Sequence, residues 1–503
     1  MLGLDAAEIG LIRRWTADGS MPVLRRLCDE SGLLRLDSTA AQFVGSPWPS
    51  FYLSQSPAEH GMYSFLIWRP DKLETSRPHR SWLTLRPFWR RLARNDTRVV
   101  AIDIPQAYAP LPYPGQELSG WATHETLEQP AAEPANFLDD IKNEFGVPRF
   151  DDEVNRRLNI DEALTARDQC IETALAVGEL GAKLMRSEPW DLFLLCFAST
   201  HRAGHQLWDR TSLAGNPSDI ELAEFDDSLR QVYIAVDKAI GKMFSVLDEQ
   251  TAVLIFSLHG MGLNTSRTEL TKEILGKVLE NQSSSTGPAA DSLTRRLRKL
   301  LPVDFRNYVK TRLPLSIQDR LTVFWRVSGI DWKNTKAFAL FGDLDAYVQI
   351  NLCGRESSGI VEPGKEYDEL CATIAAGFKS FVDEDTGECI VDSVEMSRDT
   401  YPTGKFRDNL PDIIIHWAKT SAARHRRIVS PRFGSIEWPT PGYHPQGRSG
   451  DHERFGFLIT KGFEPARELD NASIIDLAPT VYDLLGVEPP DDFEGRSIAR
   501  GDE

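Results

Sequence analysis

Short, nearly unbroken apolar runs recur along the chain, separated by longer stretches in which apolar and polar positions mix: Arg98–Ile104 (RVVAIDI), Asp191–Phe197 (DLFLLCF), Thr251–Ser257 (TAVLIFS), Asp412–Trp417 (DIIIHW) and Phe455–Thr460 (FGFLIT). Each has the length of a buried parallel strand, which is covered by helices on both faces and so loses the alternation of a half-exposed strand. Strands of this kind between amphipathic stretches predict a doubly wound α/β sheet. Ligands of such sheets sit beyond the carboxyl ends of the strands, so the residues that follow each run are the ones to inspect for chemistry. Asn281–Ala290 (NQSSSTGPAA) breaks the rhythm and reads as an insertion, followed by the basic, apolar-spaced Ser292–Leu301. Arg295, Arg296, Arg298 and Lys299 read first as a solvated helix face; the sharper alternative is a cap that meets an anionic substrate or a membrane surface.

With 503 residues, 41% of them hydrophobic, the chain can bury a large core as two or three domains or as one α/β unit with insertions. Its net charge of −17 argues against coating nucleic acid or anionic lipid, though a local cationic site remains compatible. Six cysteines, at 28, 170, 196, 353, 371 and 389, form no CxxC pair or regular framework, which fits a reducing compartment. Met1–Glu8 has neither a basic region nor an apolar one of signal type, and no window is apolar enough for a membrane span. The expectation is a soluble, cytoplasmic protein. Oligomeric state is not readable.

Candidate chemistry gathers beside the runs. Ala198–Trp208 (ASTHRAGHQLW) follows one of them and holds His201 and His205 four apart, a spacing that puts both imidazoles on one helix face within reach of a single metal ion; two ordinary histidines near a helix start are the blander reading. His259 lies in the turn Leu258–Gly262 after another run, and His452 lies in SGDHER just before Phe455–Thr460. Asp5 stands where a first strand would finish, with only four residues before it, so that strand is short or its beginning is missing. Ser46, in GSPWPS ahead of a helix-like stretch, is either a nucleophile at a helix N-terminus or a simple cap.

Several stretches, in order, resemble one family. Gly3-Leu4-Asp5 resembles the opening strand and metal-binding aspartate of the alkaline phosphatase superfamily; Ser46–Gly61, with Trp48, Ser50, Pro57 and His60, resembles its nucleophile helix. His201–His205 is similar to its D-x-x-x-H motif, Leu258–Gly262 to D-H-G-M-G, and Asp451-His452 to its last metal histidine. Asn351–Pro363, Pro411-Asp412 and Ile475–Ser497 resemble the N-L-x-G-R-E, P-D and closing segments of the type I phosphodiesterase/nucleotide pyrophosphatase branch. Arg355 and Glu356, within the first of these, are assigned no role beyond packing ion pairs.

The resemblance implies an alkaline phosphatase-like three-layer α/β/α sandwich with a mostly parallel central sheet and an inserted cap. The expected division is 1–264 for the first part of the core, 265–335 for the cap and 336–503 for the rest, with a small subdomain around 345–400. It implies a metal-dependent hydrolase of phosphate esters, foremost a phosphodiesterase, acting on a small-molecule substrate through a Ser nucleophile or metal-bound hydroxide. A phosphoryl transferase to a sugar or lipid, or a silent ligand-binding relative, are the alternatives. The implied cofactor is a divalent metal, zinc first and Mn2+ or Ca2+ next, as one or two ions, with Asp5, His201, His205, His259 and His452 as ligands and Ser46 as nucleophile. Three positions depart from the pattern: His201 and Leu258 stand where the family has aspartates, and Val44 stands at its nucleophile position. The expectation is therefore one ion held tightly by His201, His205 and His452, with a second weak or absent at Asp5, His259 and Ser46.

Overall fold

The computed structural model describes residues 1–80, 86–123, 127–148, 156–187, 189–280, 330–463 and 472–499. In chain order the first half builds β1 (Leu2–Leu4), α1 (Ile9–Ala17), α2 (Pro22–Ser31), β2 (Leu34–Asp37), α3 (Pro47–Leu53), β3 (Val99–Ile102), β4 (Gln116–Ser119), β5 (Ala131–Glu133), α4 (Ile160–Ser187), β6 (Leu192–Phe197), α5 (Ser199–Gln206), α6 (Asp219–Phe244) and β7 (Val253–Ser257). It continues with β8 (Gly260–Leu263), α7 (Thr271–Glu280), β9 (Ala337–Ala339), β10 (Ala346–Ile350), α8 (Lys365–Lys379), β11 (Val391–Met396), β12 (Ile413–Trp417), β13 (Gly450–Glu453), β14 (Phe455–Lys461) and α9 (Leu477–Leu484).

Eight strands form the central sheet in the order β2-β14-β7-β1-β6-β3-β4-β5. β1, β3, β4, β6 and β7 are mutually parallel, whereas β14 runs antiparallel to both of its neighbours and β5 to β4. The apolar runs have their predicted cause. Phe193, Leu195 and Phe197 of β6 pack under α4 and α6 with Val177, Leu180 and Val232, while Leu192, Leu194 and Cys196 pack on the opposite face with Trp48, Phe51 and Leu477. Both faces of the strand are dry, so both sets of side chains are apolar. The α/β class and mostly parallel sheet are those anticipated from the runs.

Two runs lie elsewhere than a uniform parallel sheet would put them. Phe455–Thr460 becomes the antiparallel β14, and Asp412–Trp417 becomes β12 of a separate four-stranded antiparallel sheet, β9-β10-β12-β11. Ile413 and Ile415 pack with Ile374 and Phe378 of α8, while Ile414 packs with Phe43 and Tyr63 of the main core. An unbroken apolar run reports burial on two faces; it carries no information about strand direction or about which sheet the strand joins.

The smaller sheet and α8 also enclose α7 through Ile274, Leu275 and Val278, so residues 271–280 pack into this subdomain. Arg295, Arg296, Arg298 and Lys299 of the expected cap lie outside the described residues. An antiparallel ribbon of β8 and β13 pairs Met261 with His452 and Gly262 with Asp451. No cysteine is in a disulfide, and among the described residues no helix is long and apolar enough to cross a membrane.

Candidate metal centre

Asp5 follows β1 directly, α5 begins two residues after β6, and His259 lies two residues past β7, so all three supply side chains to the carboxyl edge of the parallel strands. His452 lies within β13, just ahead of β14, rather than after a parallel strand. It reaches the same edge because β14 is antiparallel: Phe457 lies opposite Ser257 and Lys461 opposite Val253, which sets the start of β14 beside the end of β7.

Two glycines let α5 approach β13. A Cβ on Gly450 would stand 2.0 Å from the Gly204 carbonyl oxygen, and one on Gly204 would stand 2.6 Å from Met261 Cγ. That contact brings the helix and ribbon histidines together. The rings of His201, His205 and His452 form a nearly equilateral triangle with centroid separations of 4.8, 4.9 and 4.9 Å, and His259 lies 4.8 Å from His452. Asp5 and all four histidines are buried.

Proton accounting separates these imidazoles from ordinary core histidines. His201 Nδ1 lies 2.9 Å from Asp5 Oδ2, and His205 Nδ1 lies 3.0 Å from the Gly450 carbonyl oxygen. Each partner is an acceptor, so each Nδ1 carries the hydrogen and each Nε2 of the neutral rings presents a lone pair. Those two Nε2 atoms face one another at 3.0 Å. Two lone pairs do not hydrogen-bond, so a proton or a metal ion between the rings would complete the arrangement. Nitrogens about 2.1 Å from one tetrahedral zinc are roughly 3.4 Å apart, a small adjustment from this geometry.

The outer partners are of the kind that fix ligating histidines, a carboxylate on one ring and a backbone carbonyl on the other. Asp5 is itself held by Trp48 Nε1 at 2.9 Å to Oδ1, and its carbonyl accepts from Thr200 Oγ1 at 2.6 Å. Burial first, then the neighbouring imidazoles, pushes His452 well below the usual imidazole range, which keeps it neutral. His201, His205 and His452 can bring ligand atoms within 4.8 Å of one another, and so can Asp5, His201 and His259. His201 belongs to both sets, so both are candidate seats for an ion around one ring.

Ser46 is not brought to this cluster. Its Oγ donates to the Phe43 carbonyl at 2.7 Å and hydrogen-bonds the Thr39 hydroxyl at 2.7 Å, while Val44 and Gly45 line the cavity beside Asp5, His201, His259 and His452. The helix that Ser46 precedes has prolines at 47 and 49, so its first turn lacks two of the N–H groups on which an anion site there would depend. Ser50 is equally engaged: Met62 N donates to His60 Nδ1 at 3.0 Å, leaving Nε2–H for the Ser50 hydroxyl at 2.9 Å. Burial pushes His60 down to about 3, so it is a neutral structural ring. Leu258 packs among Phe256, Trp48 and Phe51, and the place of the family's aspartate is apolar core.

Three polar cavity residues escaped the reading by motif, Gln106 among them. Asp343, in the loop between β9 and β10, and Ser64 both line the cavity, as do the aromatic side chains Trp48, Tyr63, Phe65, Phe341 and Tyr347. No pattern in sequence marks any of the three; only the packing of the smaller sheet on the main core brings Asp343 to the histidines.

The family model for type I phosphodiesterase/nucleotide pyrophosphatase matches residues 1–422. The chain belongs to this family. That makes it a phosphoester hydrolase of the phosphodiesterase/pyrophosphatase type, in a family that depends on metal. No curated protein sequence matches it. Among solved structures, phosphonoacetate hydrolase from Sinorhizobium meliloti 1021, in complex with phosphonoformate, superposes with a TM-score of 0.51 at 14% identity, over 96% of this chain and 94% of that one. That likeness shows a shared fold. Human ectonucleotide pyrophosphatase/phosphodiesterase 5 gives a TM-score of 0.46 at 10% identity over 97% and 95% of the two chains. For the alkaline phosphatase PafA the values are 0.49 and 12%, over 99% and 97%.

Proposed function

We propose that this family member hydrolyses small phosphodiesters by direct attack of water at phosphorus, with one zinc ion held by His201, His205 and His452. The observation that carries the reading is the pair of Nε2 atoms facing one another at 3.0 Å on rings whose Nδ1 atoms lie against the acceptors of Asp5 and Gly450. An all-nitrogen set of three with an open fourth position suits zinc. A zinc ion held there supplies Lewis-acid polarisation of a phosphoryl oxygen and makes water more acidic.

The chain's own residues do the rest. Asp5 keeps the proton on His201 Nδ1 and orients the ring, as the Gly450 carbonyl does for His205. Trp48, Tyr63, Phe65, Phe341 and Tyr347 give the cavity apolar walls that exclude bulk water and accept the organic part of an ester. Val44 offers no nucleophile and Ser46 Oγ is hydrogen-bonded elsewhere, which favours a single displacement. An oxygen of water bonds to phosphorus, the ester P–O bond breaks, and the leaving alcohol takes the proton that water gives up.

The test is stereochemical. A phosphorothioate diester chiral at phosphorus, hydrolysed in isotopically labelled water, is expected to give inversion. Retention would show two displacements through an enzyme nucleophile and overturn the proposal. Absence of turnover on p-nitrophenyl phosphate, its phenyl diester and an aryl sulfate, with zinc bound, would favour a group transferase or a silent relative.

A further inference from the structure

Six residues other than glycine adopt positive φ among those described: Ala6, Ser54, Leu73, Asp96, Asp103 and Gln106. Of these, Gln106 is the one that lines the cavity beside Asp5, His201, His259 and His452. Its place in the chain shows what the strain is for. Ala107 N–H donates to the Ile104 carbonyl at 3.3 Å, closing a turn with Pro105 second and Gln106 third. Proline presets the φ of the second position, and a left-handed third position, here at φ 55, is normally given to glycine or asparagine. A glutamine there is the costlier choice, and strained residues of this kind persist where the surrounding structure fixes them and function uses them.

The surroundings do fix this one. Tyr52 Oη, on the buried α3, donates to the Gln106 carbonyl at 3.1 Å. Asp103, also left-handed at φ 53, donates its N–H to the Leu118 carbonyl at 2.8 Å, while its buried carboxylate accepts from Trp121 N–H at 2.9 Å and Ala122 N–H at 2.7 Å. The loop after β3 is thereby tied to β4 and to the loop that follows β4. Because β3 pairs with β6, the strand that leads to His201, the turn delivers Gln106 to the carboxyl edge where the histidines gather.

We propose that the Gln106 carboxamide binds the phosphoryl group of the substrate, donating an N–H to an oxygen on phosphorus as water attacks. Glycine would relieve the turn but leave that oxygen without the donor, which gives the side chain its reason to stay. A primary amide suits the task. It offers two N–H donors, carries no charge and does not titrate, so it meets a phosphoryl oxygen without competing for the metal as a carboxylate would. In a cavity with apolar walls, such a donor stabilises charge that develops on oxygen more than it would in water. The inference rests on the proposed phosphodiester hydrolysis for its ligand and on the turn for its existence.

The test compares Gln106→Gly and Gln106→Glu with wild type in the full-length, zinc-loaded protein, with p-nitrophenyl phenyl phosphate as substrate and with zinc content and thermal unfolding measured beside the kinetics. Gln106→Gly is expected to unfold at or above the wild-type temperature, to keep its zinc and to lose roughly 10–100-fold in kcat/KM, chiefly in kcat. Gln106→Glu keeps the length and the strain but replaces the donor with a negative charge, and it is expected to lose at least as much. Orthovanadate, which can adopt the five-coordinate form of the displacement, should bind both variants more weakly than wild type in calorimetry. Wild-type turnover by either variant overturns the proposal, as does equal vanadate affinity in all three proteins. Gln106→Gly unfolding below wild type with loss of zinc would show the side chain to be structural and overturns it as well. Hydrolysis by wild type that does not need zinc, with Gln106→Glu still impaired, defeats the zinc reading and leaves Gln106 in place.

Discussion

Two buried polar clusters in this molecule do different work, and comparing them shows what marks a functional one. In the smaller sheet, the Arg355 guanidinium reaches Asp412 at 2.6 and 2.8 Å, Glu356 at 3.0 Å and the Ile350 carbonyl at 2.7 Å, and Asp412 also accepts from Tyr367 and from Ile350 N–H. One guanidinium serves both carboxylates, Tyr367 and backbone N–H groups satisfy their other oxygen positions, and the network holds the loop after β10 to β12. At the histidines, His201 and His205 turn their Nε2 atoms to one another at 3.0 Å while an acceptor holds each Nδ1. Burial is common to both; the first cluster is complete within the protein, and the second gathers ligand atoms that a cation would complete.

The largest effects should come from breaking the incomplete cluster. Coordination to a Lewis acid contributes several kcal/mol to the barrier, so His205→Ala or His452→Ala should lower kcat/KM by roughly a thousandfold, with bound zinc lost in parallel in elemental analysis. Both variants should keep their thermal unfolding close to wild type in the metal-free state. Loss of activity with full zinc retained would separate the histidines from the metal.

The complete cluster should respond in the opposite way. Removing one partner of a buried ion pair leaves an uncompensated charge, so Asp412→Ala should cost about 3–5 kcal/mol of stability by denaturant unfolding. Zinc stoichiometry in the remaining folded protein should not change. Asp5→Asn tests the link between the two behaviours: an outer carboxylate that orients a ligand should cost roughly 10–100-fold in zinc affinity, measured by competition with a chromophoric chelator. An affinity equal to wild type would remove Asp5 from its orienting role.

A smaller effect concerns pH. Burial alone would lower His416, but Asp345 at 2.9 Å and Glu395 at 3.2 Å outweigh it and raise the ring to about 9. A raised folded-state value means that its stabilisation is full below the unfolded value of about 6.5 and fades as pH climbs towards 9. Wild type should therefore lose thermal stability across that window, and His416→Gln should flatten the loss. The smallest effect on turnover is expected for Ser46→Ala: kcat within about twofold, with a stability cost of about 1 kcal/mol from the Thr39 hydroxyl that loses its partner, since the Phe43 carbonyl keeps the backbone N–H of position 46. A large fall in kcat with the fold intact would restore Ser46 as a nucleophile.

The family was legible where spacing and order carry geometry. HxxxH at a helix start, a histidine after a buried run and an Asp-His ahead of another are local signals, and their ordered succession identifies the family. The direction of β14 was not readable, because an apolar run reports burial alone, yet that direction is what allows His452 to reach the site. Asp343 was invisible for a related reason: its neighbours in the loop carry no pattern, and its position depends on how one sheet docks on another. Ser46 read two ways in sequence, and Pro47 and Pro49 already weigh against the nucleophile reading, since they remove N–H groups that an anion-binding helix start requires.

The central claim is that His201, His205 and His452 hold one zinc ion, and crystals of protein purified without added metal test it most directly through anomalous scattering at the zinc edge. The account predicts one strong peak about 2.1 Å from Nε2 of His201 and of His205 and from a ring nitrogen of His452. No peak there, or zinc content unchanged by His205→Ala, would contradict it.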